Sequence, residues 1–223
     1  DNQESAHEYT KVLFGVDKNN KASNSVLADS TVNGYVTFTY QSNGNTLTGN
    51  DLKYVVTVQS NNNIITKNNI NSMNEYAVDS TYNLAKGNNI SNNYLTTTGG
   101  KKANDAVTFK EGKGHIVENN GPDFSVDDVD DMLAGNDANV VVNILPDYKD
   151  ADVIVKVNGN VINETTASGA FEQVISAGDL IAGENTVEVS VYGITKSITF
   201  NVYEIIIDVE DKEVMLGNDN SVT

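Results

Sequence analysis

The motif Asn-x-[Leu/Ile]-x-x-Asn-x-[Leu/Ile] occurs as Asn45 to Leu52, as Asn63 to Ile70 and as Asn88 to Leu95, once per stretch of about two dozen residues, with starts 18 and 25 residues apart. Weaker copies read Gly114-His115-Ile116-Val117-Glu118-Asn119 and, earlier, Asn24-Ser25-Val26-Leu27-Ala28-Asp29. A unit this short cannot bury its own apolar face, so recurrence at this spacing implies stacking of each unit on its neighbour. Upstream of the motifs run short alternating segments: Val12-x-Phe14, Val36-x-Phe38, Val56-x-Val58, Val78-x-Ser80 and Val107-x-Phe109. Successive valines are 24, 20, 22 and 29 residues apart. Short β-branched runs divided by turn residues predict strands, so each repeat is one coil of two strands separated by a turn.

Stacked coils would place Leu47, Ile65, Ile90 and Ile116 in one inward column and Leu52, Ile70 and Leu95 in another. Asparagine suits the corners, because it tolerates the left-handed backbone and its amide can pair with the amide one coil away. Two ladders are therefore expected, Asn45/Asn63/Asn88 and Asn50/Asn68/Asn93. The tyrosines Tyr40, Tyr54, Tyr76 and Tyr82 share inward parity and are expected at the ends of the internal stack.

Composition removes several function classes. Cysteine is absent, which excludes disulfides, thiol catalysis and thiolate metal sites. All fourteen basic residues are lysines, so bidentate guanidinium recognition of phosphate or carboxylate is excluded as well. The formal charge of -17 disfavours nucleic acid and anionic membranes as partners. No apolar run is long enough to span a bilayer, so no direct membrane insertion is expected. The chain opens on Asp1 without a leader pattern and is expected to be a piece of a longer protein.

The acid is unevenly placed. Residues 1–119 carry 11 acids against 10 lysines, whereas residues 120–223 carry 20 against 4. That break, at Asn120-Gly121-Pro122, predicts a domain boundary: 1–120, 121–203, and 204–223 as the start of a further unit. The second half changes to long alternating strands, Asn139 to Leu145, Ala151 to Val157, Asn185 to Val191 and Ile194 to Val202, with shorter ones at Phe124 to Val126, Asn160 to Asn163 and Phe171 to Ile175. Asn158-Gly159 and Tyr192-Gly193 mark hairpin turns. Seven strands in about 80 residues predict an immunoglobulin-like β-sandwich. Met132-Leu133-Ala134-Gly135-Asn136-Asp137 recurs in variant form from Val214, 82 residues on, which predicts the beginning of a second sandwich.

The coils of residues 9–120 resemble the right-handed parallel β-helix repeats of pectate-lyase-like and NosD-like proteins. The combination with sandwich repeats, and the stretch Leu180-Ile181-Ala182-Gly183-Glu184-Asn185-Thr186-Val187, resembles adhesin-like surface proteins of methanogenic archaea. The fold implied is all-β: a parallel β-helix of about five rungs, then an immunoglobulin-like sandwich and the start of another. The function implied is that of a non-catalytic, extracellular cell-surface adhesin or stalk segment whose partners are cell-surface glycans or other cells' surface proteins. The alternative is a β-helix polysaccharide lyase or hydrolase with catalytic rungs outside residues 1–223. A lyase of that type needs clustered carboxylates and a strong base, usually arginine. The expected outward column Leu13, Thr37, Thr57, Asp79 and Thr108 offers one acid and no arginine.

Among outward positions on the second strand of each motif, Tyr94, Asn69 and Asp51 are the candidate carbohydrate contacts. No cofactor is required, and calcium is the one weighed. Asp127, Asp128, Asp130, Asp131 and Asp137 supply hard oxygens but match no EF-hand loop, and a solvated acidic edge is the competing reading. His7 and His115 are far apart and lack His or Cys neighbours, which weighs against copper or zinc. Asn89-Ile90-Ser91 and Asn163-Glu164-Thr165 are glycosylation sequons, with Asn89 and Asn163 the acceptors, and suit a surface glycoprotein.

Overall fold

The computed structural model describes residues 10–206. The expected second sandwich repeat, its recurrence from Val214 and His7 lie outside the described residues. Residues 10–120 wind into a β-solenoid of about four turns, rather than the five expected. Its three faces are parallel sheets. The first holds Thr10–Phe14, Gly34–Phe38, Val56–Val58, Val78–Ser80 and Val107–Phe109. The second holds Val26–Ala28, Thr46–Thr48, Ile64–Thr66, Asn89–Ser91 and Ile116–Glu118. The third, with four strands, holds Thr31–Val32, Asp51–Leu52, Asn69–Ser72 and Tyr94–Thr97.

The register aligns Val12, Val36, Val56, Val78 and Val107 in one column, as their spacing predicts. Val32, Leu52, Ile70 and Leu95 align in another. The remaining column is Leu27, Leu47, Ile65, Ile90 and Val117, so the expected Ile116 is displaced by one residue. Ile116 pairs with Asn89 and is 47% exposed. Strand side chains alternate between faces, so a one-residue slip turns the whole set inside out. The last coil keeps its apolar contact only with Val117 inside. Between Leu47 and Leu95 the inward aliphatics are almost wholly buried in a single core, each worth about 1.5–3 kcal/mol relative to exposure.

Both ladders form, and they are longer than three rungs. Ser25 N–H donates to Asn45 Oδ1 (3.0 Å), Asn45 N–H to Asn63 Oδ1 (2.9 Å), Asn63 N–H to Asn88 Oδ1 (2.9 Å), and Asn88 N–H to His115 Nδ1 (3.3 Å). In the second ladder Ser30, Asn50, Asn68 and Asn93 each donate a backbone N–H, at 3.0 Å, to the Oδ1 of the next coil, ending on Asn120. The side-chain Nδ2 groups of Asn50, Asn68 and Asn93 donate to the same oxygens at 2.9–3.0 Å. They also donate back to carbonyl oxygens of the previous coil at 2.8–3.0 Å. The central asparagines are 0–1% exposed, and buried amides are tolerated there because both ends of each are bonded.

The left-handed backbone does not fall on the ladder asparagines. It falls on the residue before each: Asn24, Gly44, Asn62, Gly87 and Gly114 at one corner, Asp29, Gly49, Lys67, Asn92 and Asn119 at the other, all with φ between 50° and 71°. Division of labour explains this. One residue turns the chain, leaving the next free to aim its amide along the axis. At Gly49 (φ +67°) an added Cβ would lie 2.2 Å from Asp29 Oδ1 of the previous coil, so stacked corners crowd as well as twist.

Residues 121–206 form two sheets around a second core. Three antiparallel strands, Asp123–Val126, Ala138–Leu145 and Ala170–Ile175, make one. The other runs in the order Met132–Leu133, Ile194–Tyr203, Gly183–Val191, Ala151–Val157, Asn160–Ala167, and curls into a half-barrel. Val140, Val142 and Ile144 from the first sheet meet Val153, Val155, Val187 and Val189 from the second in that core, as the strict alternation of both segments requires.

Candidate functional site

The three candidate carbohydrate contacts lie side by side, one per coil. Asp51 pairs in register with Asn69, and Asn69 with Tyr94. Asn69 Nδ2 donates to Asp51 Oδ1 at 2.8 Å. Tyr94, however, is half-buried against residues 121–206. Its ring lies 5.4 Å from that of Tyr192, and Lys149 Nζ sits 5.1 Å from its centroid. Its backbone N–H donates to the Tyr148 hydroxyl at 3.1 Å. Burial raises the proton affinity of all three phenols, with Tyr192 pushed up to about 12, so each stays neutral. Tyr94 is thus the keystone of a junction, leaving Asp51 and Asn69 as the open part of the column.

The chain crosses this junction at Asn120 and Gly121. Asn120 closes the second ladder, donating to Ile90 O (2.9 Å) and Asn104 Oδ1 (2.8 Å). Gly121 bridges in parallel to Tyr94, its N–H donating to Asn93 O at 2.8 Å. A Cβ on Gly121 would lie 1.9 Å from Leu145 O, so only glycine permits the approach of the two halves. Sequence reasoning missed Tyr148, Lys149 and Tyr192 as partners. The Tyr192-Gly193 turn was visible, but nothing local says which surface a turn will meet.

The acidic residues considered for calcium do not converge. Asp131 accepts from Asn201 N–H (2.7 Å) and from the Tyr203 hydroxyl (3.0 Å), and the Asn201 bond leads in holding its carboxyl below the ordinary value. Asp137 accepts from Ala177 N–H at 2.8 Å, and Asp127 from Asn143 Nδ2 at 3.3 Å. Asp128 and Asp130 are exposed. Among the described residues no three His, Cys, Asp or Glu side chains group as a metal site. The run lies in the connector between Asp123–Val126 and Met132–Leu133, and its bonded carboxylates pin different elements, which disperses them.

Of the sequon asparagines, Asn89 stands in the column Ile64, Asn89, Ile116 on the outside of the second face, with its Oδ1 buried and without a hydrogen-bond partner among the described residues. Asn163 is half-buried, its Nδ2 donating to Gln173 Oε1 at 2.6 Å. In the outward column of the first face, Leu13, Thr37, Thr57, Asp79 and Thr108 stand in register. Asp79 turns its carboxylate onto Thr81.

The tyrosines depart from expectation. Tyr54 lies 4.8 Å from Tyr35, and Tyr76 lies under Lys101 Nζ at 3.4 Å. Tyr40 and Tyr82 are 43% exposed at the corner after the first face, where the chain has already left the strand and parity no longer applies. Two clefts accompany these corners. One, of about 300 Å³, includes Tyr40, Asn61, Asn83, Leu84, Lys86 and Lys113. The other, of about 500 Å³ at the last coil, includes Tyr76, Lys101, Asp105, Phe109 and Glu111. No family model matches the chain, and no curated protein matches it.

Proposed function

We propose that this chain is a non-catalytic segment of an extracellular stalk, part of an adhesin-like surface protein that attaches cells to surface glycans or to other cells' surface proteins. The observation that carries this reading is the continuity of its two repeat-type modules. A polar-laddered solenoid passes into an all-β unit through a packed tyrosine junction, with Gly121 inside it. Such joining suits a rod that holds binding surfaces away from its point of attachment, where many weak contacts act together.

Residues 121–203 are read as an immunoglobulin-like sandwich. In support, the two sheets share one core, and the strand order separates the first, third and sixth of the eight strands from the rest. The short Met132–Leu133 strand runs parallel to the last, Ile194–Tyr203, a pairing compatible with a Greek-key sandwich. The open Asp51 and Asn69 column supports a glycan-facing surface, and outward Asn89 suits a glycoprotein. Glycan-array binding by the intact chain, with attachment of beads coated with it to cells, tests the proposal. Retention of a defined glycan or cell type is expected; failure of both sinks it.

A further inference from the structure

The corner between the first and second faces carries a groove that fits one ligand class. Its lining comes from four successive coils: Tyr40, then Asn61, then Asn83, Leu84 and Lys86, then Lys113. It therefore runs along the solenoid axis for roughly 15 Å, at about 4.8 Å per coil. Its volume of about 300 Å³ stands at the lower end of the roughly 300–1,000 Å³ of small-ligand sites. Tyr40 is 43% exposed and Leu84 50%, so apolar planes lie beside amides, an arrangement that accepts a flat ring bearing hydroxyls.

Charge narrows the class. No carboxylate lines the groove, while Lys86 and Lys113 do. Lys110 reaches its rim by donating from Nζ to Asn83 Oδ1. Among the described residues the ion pairs are Lys101 with Glu75 and Lys196 with Asp123, so these three ammonium groups have no carboxylate partner there. Three uncompensated lysines at one corner contrast with a chain carrying -17 overall. Most of that negative charge belongs to residues 120–223, and among the described residues that half joins the solenoid at Tyr94 and Asn120 rather than at this corner. Salt screens it beyond about 8 Å, leaving the local lysines to set the sign.

We propose that this groove binds an acidic oligosaccharide, with a sugar face on Tyr40, hydroxyls on the Asn61 and Asn83 amides, and uronate carboxylates on Lys86 and Lys113. The inference rests on the glycan-binding reading above and adds to the Asp51 and Asn69 column a second site, with its charge class. Titration calorimetry of the intact chain with an alginate-derived hexauronate, against neutral cellohexaose, tests it. The hexauronate binds, more weakly as salt rises, and the neutral sugar binds at least tenfold less. The double variant Lys86→Gln/Lys113→Gln loses tenfold or more while its melting temperature stays unchanged, and Tyr40→Ala weakens binding independently. Equal binding of the neutral sugar, no binding of the hexauronate, or undiminished binding by the double variant overturns the proposal. If the double variant keeps the wild-type glycan-array profile, the groove assignment falls while the adhesin reading stands; if wild type retains no glycan, both fall.

Discussion

A single ladder asparagine does the work of several ordinary bonds. Asn68 Oδ1 accepts from the backbone and side chain of Asn50, while its Nδ2 donates to Leu47 O, Thr66 O and Asn93 Oδ1. Asn68→Ala strands these groups inside the core, at about 1–3 kcal/mol for each unsatisfied one. Urea denaturation should show a loss of at least about 3 kcal/mol, whereas outward Asn69→Ala should lose under about 1 kcal/mol. His115 stands where the ladder would place another asparagine, its Nδ1 accepting from Asn88 N–H. Burial, the leading cause, and the Lys113 charge lower its proton affinity below the ordinary 6.5, against an opposing pull from the Ala85 carbonyl. The neutral ring is therefore favoured by folding, and the unfolded chain binds the extra proton. Its contribution is fully present above about pH 6.5, and is lost as pH falls through the lower folded value. Melting temperatures measured from pH 7.5 down to 4.5 should fall over that window, and His115→Asn should flatten this part of the profile by supplying an amide acceptor that does not titrate.

The elements show which features could be read in advance. The valine, leucine and isoleucine columns were legible because burial selects apolar side chains at a fixed offset, and Asn45 to Leu95 carries that signal unbroken. At both ends the register slipped by one residue, since a corner needs an acceptor or a backbone donor, not asparagine as such. Ser25 and His115 meet the need, while Asn24 and Gly114 are the left-handed residues beside them. A third ladder, in which Asn61 N–H donates to Asn43 Oδ1 and Lys86 N–H to Asn61 Oδ1, was also overlooked. Its signal was asparagine two residues before Asn45 and Asn63. The tyrosine junction was not legible, because a contact between Tyr94 and Tyr192 has no local pattern. At that junction Gly121→Val would force apart Leu145 and the last coil. The expected outcome is two unfolding transitions in calorimetry where wild type shows one coupled transition; an unchanged trace would refute tight coupling.

At the scale of the whole molecule, a nearly neutral solenoid is joined to a strongly acidic unit of 20 acids against 4 lysines. Self-repulsion keeps acidic units apart from one another and soluble, which suits spacers, while the solenoid presents lysines, amides and tyrosines outward. The central claim is that this rod holds polysaccharide without cutting it. The direct measurement is incubation of the intact chain with a panel of acidic and neutral polysaccharides, scoring retained protein and new reducing or unsaturated ends together. Retention on at least one polysaccharide with no new chain ends is the predicted result; chain ends that accumulate with time and protein concentration would contradict it.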